Sequence, residues 1–236
     1  MIAFTEAAAE TKALDPSAIA GDLGPFGSIA LEMEQYEDRL TQREMARTIA
    51  ELYNDGGVGL LEAGTGVGKS LAYLLPALRW AALNGERTVV STNTINLQEQ
   101  LVRKDLPFLA RALGAEQKVR FALLKGWRNY LCLLRLEQAK LIGGEMLDGG
   151  SDPLADIVQW AAQTKDGSLG DVAESPSPEV WDEVSAEPDL CTRAACPHFE
   201  KCFLFSARRV AAQADVVVVN HHLLMSDVAV RRAQGN

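Results

Sequence analysis

The sequence predicts an α/β fold with a parallel sheet, interrupted by a smaller insertion. Apolar segments of strand length alternate with segments of helical periodicity between residues 41 and 124, a pattern typical of parallel strands joined by helices. A glycine-rich loop separates one predicted strand from the next helix, and the four valines at 216–219 are typical of a central parallel strand. Between residues 125 and 205 the alternation is lost over a stretch longer than an ordinary loop.

Length and charge limit the classes of protein to consider. The 236 residues suffice for one large domain or two small ones, and the formal net charge is −9. Attraction of the whole protein to DNA or to an anionic membrane is therefore not expected, although a local basic groove would be compatible with this charge. No apolar run approaches the roughly 20 residues that cross a bilayer, and no secretory signal begins the chain. We expect a cytoplasmic protein whose cysteines stay reduced or bind metal.

The N-terminal part is predicted to comprise a leader and one amphipathic helix. Residues 1–35 show little periodicity, with Phe26, Ile29 and Leu31 as candidates to dock on the domain. A capping box of Thr41 and Glu44 predicts the helix start. The turn residues at 54–57 predict its end, and its apolar face carries the following side chains: Met45, Ile49, Leu52 and Tyr53.

The elements that follow are predicted from short apolar runs. Residues 58–63 are expected to form a buried strand, and residues 88–91 and 119–124 two further strands. A helix carrying several leucines follows the glycine-rich loop, and another, containing Leu97 and Leu101, is expected to stop at Pro107.

The glycine-rich loop carries the clearest chemistry. It matches the phosphate-binding pattern G-x-x-x-x-G-K-[ST] except that alanine replaces the first glycine. Glycines let backbone N–H groups curl around an anion, and the following helix directs its dipole at the phosphates. Lysine reaches the β- and γ-phosphates and serine ligates Mg²⁺. The residues predicted to bind a nucleoside triphosphate are Ala63, Gly64, Thr65, Gly66, Val67, Gly68, Lys69 and Ser70.

Other interpretations of the loop explain less. A glycine-rich turn with an exposed lysine would leave the agreement of spacing, residue types and context unexplained. A dinucleotide-binding loop is excluded, because the glycines do not follow G-x-G-x-x-G.

Four cysteines fall inside the interruption of the α/β pattern, spaced C-x58-C-x4-C-x5-C. Four thiolates complete one [4Fe–4S] cluster or one structural zinc site, and the spacing alone leaves both open. The candidate metal ligands are Cys132, Cys191, Cys196 and Cys202. His198 is an alternative zinc ligand, and each cysteine taken singly is also compatible with a small buried apolar residue.

Several segments in one order resemble a known family. Glu62 with the phosphate loop is similar to motif I of superfamily-two helicases, and residues 91–101 to motif Ia. Residues 125–132, the cysteine series and then Asn220-His221-His222 resemble the iron–sulfur insertion and its exit in the DinG and XPD helicases. The best match is the DinG-like ATP-dependent DNA helicase, and the resemblance covers residues 36–227.

The resemblance implies a domain organisation and cofactors. It implies a leader at 1–35, a RecA-like P-loop NTPase domain at 36–124 and again at 206–236, and an iron–sulfur insertion at 125–205. It implies ATP, Mg²⁺ and a [4Fe–4S] cluster as cofactors, with Lys69 and Ser70 in catalysis. Gln42 would read the adenine edge, since an amide both donates and accepts, and Tyr36 would stack on the base. An ordinary solvated helix start is the alternative for both.

The resemblance also implies translocation on single-stranded DNA, unwinding with 5′-to-3′ polarity, action at DNA junctions and a role in DNA repair. Motif Ia contributes polar DNA contacts at Thr92, Asn93, Thr94 and Gln98. In the insertion, Trp127 and Tyr130 offer stacking faces. The basic candidates are Lys125, Arg128, Arg135, Arg193 and Lys201. Packing aromatics, helix capping and solvated charges are the alternatives. We expect a monomer, although the sequence does not determine the oligomeric state.

An acidic motif II, similar to D-E-A-H, is missing from the sequence. The predicted strand at 216–219 ends in Asn220 rather than in a carboxylate. We therefore expect a fragment of a longer helicase that lacks motif II and the second motor domain and hydrolyses ATP slowly. Two hypotheses compete with it: an ATP-dependent switch or kinase on the same fold, and an ATP-binding module with a structural zinc or iron–sulfur site and no unwinding activity.

Overall fold

The computed structural model describes residues 11–115, 118–143 and 154–235. Predictions for the first ten leader residues, for 144–153 of the insertion and for Asn236 lie outside this part. The chain divides into two compact units. The first comprises Met1–Val90, Asn96–Phe121 and Ala214–Val218, and the second comprises Ser91–Ile95, Ala122–Gln213 and Val219–Asn236. The predicted boundaries of leader, motor domain and insertion remain predictions.

The first unit is built mainly from helices. Leu74, Leu75 and Leu78 are fully buried on the long helix that follows the glycine-rich loop. The helices are α1 (Pro16–Asp22), α2 (Ser28–Glu32), α3 (Leu40–Asp55), α4 (Lys69–Asn84), α5 (Ile95–Gln100) and α6 (Leu106–Ala112). Among these, α3 packs extensively against both α1 and α4.

A small parallel sheet accompanies these helices. Its strands are β1 (Thr88–Thr92), β2 (Phe121–Leu123) and β3 (Val216–Asn220), in the order β1-β3-β2. All four valines of β3 are buried, as expected for the middle strand. The predicted α/β class and the central position of β3 are therefore confirmed.

The strand predicted at 58–63 is not formed. Val58 is 98% exposed and Leu60 is completely exposed. A strand needs a neighbour to accept its backbone hydrogen bonds, and none of the three strands in the described part of the chain pairs with this segment. Local apolarity predicted a buried strand here, and that prediction is wrong because the segment has no partner strand among the described residues.

Two helix predictions need correction. Helix α3 begins at Leu40, one residue before Thr41, and no side chain caps it, so the capping box is absent. Its buried face is Gln42, Ala46 and Ala50 rather than the larger apolar residues beside them. Small residues there let α3 approach its neighbours closely.

Pro107 does not stop the helix that follows β1. The chain passes through a π-helical turn, Leu101–Asp105, and continues as α6 with Pro107 in its first turn. Proline is tolerated there because the π-helical turn before it shifts the backbone hydrogen bonds, as in the bond from the Leu106 N–H to the Leu101 carbonyl.

In the leader, Ile29 is buried as expected, whereas Phe26 and Leu31 are 92% and 81% exposed. The prediction that these two side chains dock on the domain is therefore wrong. They lie in the short α1–α2 region, which buries Ile19 and Leu23 as well as Ile29.

The second unit has an apolar core of its own. Its helices are α7 (Leu133–Gly143), α8 (Ala155–Ala161), α9 (Pro178–Val184), α10 (Phe203–Gln213) and α11 (His221–Ala233). The buried cluster is Leu131, Leu136, Leu154, Ile157, Trp181 and Val184. Helix α9 therefore contributes core residues to this unit, namely Trp181 and Val184. No helix in the described ranges is both long and apolar enough to cross a membrane.

Candidate nucleotide site and cysteine-lined cavity

The glycine-rich loop leads directly into α4. Gly66 and Gly68 adopt left-handed backbone angles, with φ of 81° and 76°, which side-chain-bearing residues rarely adopt. Gly68 is the N-cap of α4, so the first N–H groups of this helix open onto the loop. The Lys69 ammonium donates hydrogen bonds to the carbonyl oxygens of Ala63, at 2.9 Å, and Gly64. In this conformation the loop carbonyls hold the lysine that phosphates are expected to attract.

Gln42 lies against this loop. Its side-chain amide donates to the Gly68 carbonyl at 2.7 Å, and the residue is only 6% exposed. A Cβ atom at Gly68 would come within 2.2 Å of the Gln42 Nε2. The structure thus brings Gln42 to the predicted nucleotide site, while its role in reading adenine stays a prediction.

Arg39 was not predicted as a site residue. As N-cap of α3 it donates from its guanidinium to the Gly66 carbonyl at the tip of the loop, and it pairs with Glu37 at 2.6 Å. Its position three residues before Gln42 on the entry to the same helix is the only sequence signal for it.

Tyr36 is held by a different neighbour. Its hydroxyl donates to the Leu23 carbonyl at 2.6 Å. Desolvation by burial is the largest cause raising the pKa of Tyr36, followed by the charge of Asp38. Its proposed stacking on the base stays a prediction.

Ser70, the predicted magnesium ligand, lies on the first turn of α4. Its hydroxyl forms a hydrogen bond with Tyr73. Burial raises the pKa of Tyr73, this hydrogen bond opposes the rise, and the charge of Asp105 adds to it. The buried Asp105 also accepts a hydrogen bond from Gln100 at 3.1 Å. Mg²⁺ prefers several oxygen ligands. The Ser70 hydroxyl would therefore hold Mg²⁺ only together with oxygens of a bound phosphate.

The second unit contains a cavity of about 270 Å³ lined by all four cysteines. Each cysteine is half-buried and none forms a disulfide. Aromatic residues complete much of the lining: Trp127, Phe199 and Phe205. The sequence predicted that these four thiols serve one site, and the structure places them around a common space.

Backbone N–H groups face two of the thiols. Burial raises the pKa of Cys132, while the N–H groups of Arg135 and Leu134, at the start of α7, act in the opposite direction. The N–H group of Arg193 donates to the Cys191 sulfur at 3.4 Å. Such donors stabilise thiolates. Within the described ranges, no three His, Cys, Asp or Glu residues cluster tightly enough for a single metal ion.

Two DNA-contact predictions for the insertion are wrong. Lys125 is 3% exposed and donates to Ser168, and Tyr130 is 2% exposed, so neither can reach DNA. One face of the Trp127 ring is covered by the Arg208 guanidinium, 4.6 Å from the ring centroid, and stacking on DNA by the other face stays a prediction. Burial lowers the pKa of Arg208, and the charge of Arg193 acts in the same direction.

The other basic candidates are more accessible. Arg128 pairs with Glu187 at 3.0 Å while remaining 65% exposed at the side chain, and Arg135 is largely buried beside the same carboxylate. Arg193 and Lys201 are exposed. Their contact with DNA stays a prediction.

Motif Ia is divided between buried and exposed residues. Thr92 is 4% exposed and Gln98 is fully buried, so direct DNA contact by these two is contradicted. Asn93 and Thr94 are exposed. Next to them the Ser91 hydroxyl and the His221 ring nitrogen lie 2.7 Å apart. Polar groups therefore follow both β1 and β3.

Comparison with known proteins supplies the family. The DEAD/DEAH box helicase model matches residues 42–129. The chain is 39% identical over 216 residues to the ATP-dependent DNA helicase YoaA of Escherichia coli (strain K12), covering 90% of this chain. It is 37% identical over 211 residues to the ATP-dependent helicase DinG of Mycobacterium tuberculosis (strain ATCC 25618 / H37Rv), covering 83% of this chain. Most of this chain is therefore similar to part of the DinG-like helicases.

The chain spans 32% of the length of each of these two DinG-like relatives. It is also 32% identical over 199 residues to a protein of Bacillus subtilis (strain 168) named 3′-5′ exonuclease DinG, of which it covers 21%. The matched part is therefore common to relatives whose names describe different activities.

Proposed function

We propose that this chain carries the ATP-binding part of a DNA helicase motor that couples ATP hydrolysis to translocation on single-stranded DNA. The observation that carries the proposal is the hydrogen bond from the Gln42 amide to the Gly68 carbonyl. Gly68 belongs to a phosphate loop that contains the lysine and serine of the motif. A generic anion-binding turn needs no buried amide beside it, whereas a nucleotide site uses one to select the base. Helicase relatives that match most of this chain support the same activity.

The residues of the loop have separable tasks. On nucleotide binding, Lys69 would leave the carbonyls of Ala63 and Gly64 for the β- and γ-phosphates. The exposed N–H groups at the start of α4 would face the same phosphates. Ser70 would offer its hydroxyl to Mg²⁺, and Gln42 would meet the adenine edge.

We propose that the four cysteines would hold a [4Fe–4S] cluster in the cysteine-lined cavity. Four reduced thiols surround a space, and backbone N–H groups reach Cys132 and Cys191. A single zinc ion needs all four sulfurs about 2.3 Å from one point, whereas a cluster with several irons keeps its cysteine sulfurs farther apart. When bound, the cluster would supply four metal–sulfur bonds that join α7 to the segment before α10. We infer that this cross-link orders residues 191–202.

DNA is the proposed polymer substrate. Asn93 and Thr94 are exposed beyond β1 and offer small polar groups to phosphate oxygens. Arg193 and Lys201 add positive charge near the cysteine-lined cavity. Polarity from 5′ to 3′, action at junctions and a role in repair rest on the family resemblance alone.

Nucleotide binding is tested by titrating the full chain with a fluorescent ATP analogue in the presence of Mg²⁺. We expect Lys69→Ala to weaken binding at least tenfold, because a charge-assisted bond to phosphate contributes about 1.5–3 kcal/mol. Gln42→Ala should reduce the preference for ATP over GTP, since it removes the amide oxygen that would accept from the adenine amino group, which guanine lacks at that position. Equal binding by wild type and Lys69→Ala would show that the loop is vestigial.

Turnover is expected to be slow. The sequence contains no D-E-A-H tetrapeptide, and phosphate hydrolysis in motors of this kind uses an acidic residue to hold the metal and position water. ATPase assays with and without single-stranded DNA measure this. Strong DNA-stimulated turnover by these 236 residues would show that another carboxylate of the chain serves.

The metal is tested by iron, acid-labile sulfide and zinc analysis of protein purified anaerobically. We expect about four irons and four sulfides per chain and a large loss of both in Cys196→Ser. Stoichiometric zinc without sulfide would support the second candidate, an ATP-binding module with a structural zinc site.

A further inference from the structure

Arg39 links the start of α3 to the tip of the phosphate loop. Its guanidinium donates to the Gly66 carbonyl, while Gln42, one helical turn along, donates to the Gly68 carbonyl. Arg39 and Gln42 are three residues apart, and they hydrogen-bond to the carbonyls of Gly66 and Gly68, which are two residues apart in the loop. These two loop glycines also have the left-handed backbone angles that define the shape of the loop.

The loop has little other support at its tip. A Cβ atom built on Gly64 or Gly66 would meet no atom within 4 Å, so no side chain packs against these positions where a Cβ would lie. A chain with two glycines and no packing has high conformational entropy, which binding must overcome. A hydrogen bond from a charged donor at the tip reduces that entropy before the nucleotide arrives.

The second partner of Arg39 does not compete strongly for it. Glu37 is 73% exposed at its side chain, and an ion pair in such a place contributes little stability. Its carboxylate directs the guanidinium through two hydrogen bonds, of 2.6 and 3.0 Å, from Nη2 and Nε. The remaining Nη1 is left to face the loop.

We propose that Arg39 is a positioning residue that pre-shapes the phosphate loop for nucleotide binding, an inference that rests on the proposed nucleotide site. It acts through the Gly66 carbonyl rather than through the base. Its removal therefore affects ATP, ADP and GTP alike, because all three place a β-phosphate in the loop. Gln42, in contrast, acts on the choice of base.

The test compares Arg39→Ala, Arg39→Lys and Arg43→Ala in the full chain. Arg43→Ala is the matched control, since Arg43 lies on the same helix and bonds to the Ala20 carbonyl and Asp38 instead of the loop. We expect Arg39→Ala to bind fluorescent ATP and ADP roughly 5- to 20-fold more weakly, the loss of one charge-assisted hydrogen bond. Arg39→Lys should recover part of this, and Arg43→Ala should bind like wild type.

Hydrogen exchange separates positioning from folding. In nucleotide-free Arg39→Ala, amides of residues 64–68 should exchange faster, while α3 and α4 keep their protection and the ratio of ATP to GTP affinity is unchanged. Unchanged or tighter nucleotide binding by Arg39→Ala, or an equal loss in Arg43→Ala, would overturn the inference. Failure of the wild-type chain itself to bind ATP would instead refute the proposed function.

Discussion

At the scale of single residues, the phosphate loop depends on contacts that its motif does not contain. The motif specifies glycines, a lysine and a serine within eight positions, because the phosphate contacts are local. The supports of the loop come from α3, and Arg39 lies 27 residues before its partner Gly66. Chemistry encoded in consecutive residues could be predicted from the sequence, whereas a contact across this separation required the fold.

Gly68 is both a residue of the local motif and the partner of a distant side chain, Gln42. We therefore predict different changes in stability for alanine at Gly68 and at Gly64. Gly68→Ala should destabilise the chain by about 1–3 kcal/mol, because alanine is strained at a left-handed angle and its Cβ displaces the hydrogen-bonded Gln42 amide. Gly64→Ala meets no atom within 4 Å and should change stability by less than about 0.5 kcal/mol.

Urea denaturation of the nucleotide-free variants measures this difference. Because no nucleotide is present, the measured free energy of unfolding does not depend on whether the new Cβ atom would collide with a bound phosphate. Equal stability of the two variants would mean that the loop adjusts freely and that Gln42 does not depend on Gly68.

At the scale of elements, sequence patterns predicted the secondary structure that each segment favours but not the tertiary contacts that it makes. Residues 58–63 have strand composition and remain unpaired because no described strand lies beside them. Gln98 was expected at a DNA-facing surface, yet it is fully buried and neither its amide nitrogen nor its oxygen has a partner in the described part of the chain. The helical pattern around it was local, whereas its burial followed from packing.

Helices α8 and α9 offer a matched pair of tryptophans. Trp160 and Trp181 pack edge to face with ring centroids 6.2 Å apart. The Trp181 indole N–H donates to the Arg128 carbonyl at 2.7 Å, whereas that of Trp160 is buried with no partner among the described residues. Substitution by phenylalanine removes the same volume from each but a hydrogen bond from only one.

We predict that Trp181→Phe costs about 1–3 kcal/mol more than Trp160→Phe, because it leaves the Arg128 carbonyl without its donor, whereas Trp160→Phe removes an unsatisfied group. Equilibrium unfolding followed by circular dichroism gives both values. A larger loss for Trp160→Phe would mean that an ordered water already satisfies its indole.

At the scale of the whole molecule, the acidic net charge bears on DNA binding, and the division into two compact units bears on stability. The charge of −9 opposes non-specific attraction to DNA, so any DNA binding relies on local groups such as Arg193 and Lys201. The two units have separate sources of order. The first unit contains the phosphate loop, and the second contains both an apolar cluster and the cysteine-lined cavity.

If the proposed cluster occupies the cysteine-lined cavity, its removal should therefore disorder only one part of the second unit. Its apolar cluster lies on α7, α8 and α9, whereas residues 191–202 contain only two short 3-10 turns, Arg193–Ala195 and Phe199–Lys201. Short turns without a core depend on cross-links for stability. After oxidation and chelation, amides of residues 191–202 should exchange freely, while those of α8 and α9 stay protected. The nucleotide-dependent protection of residues 64–70 should persist. If α8 and α9 lost protection together with the cysteine segment, the metal would support the whole unit, and the apolar cluster would not be an independent source of stability.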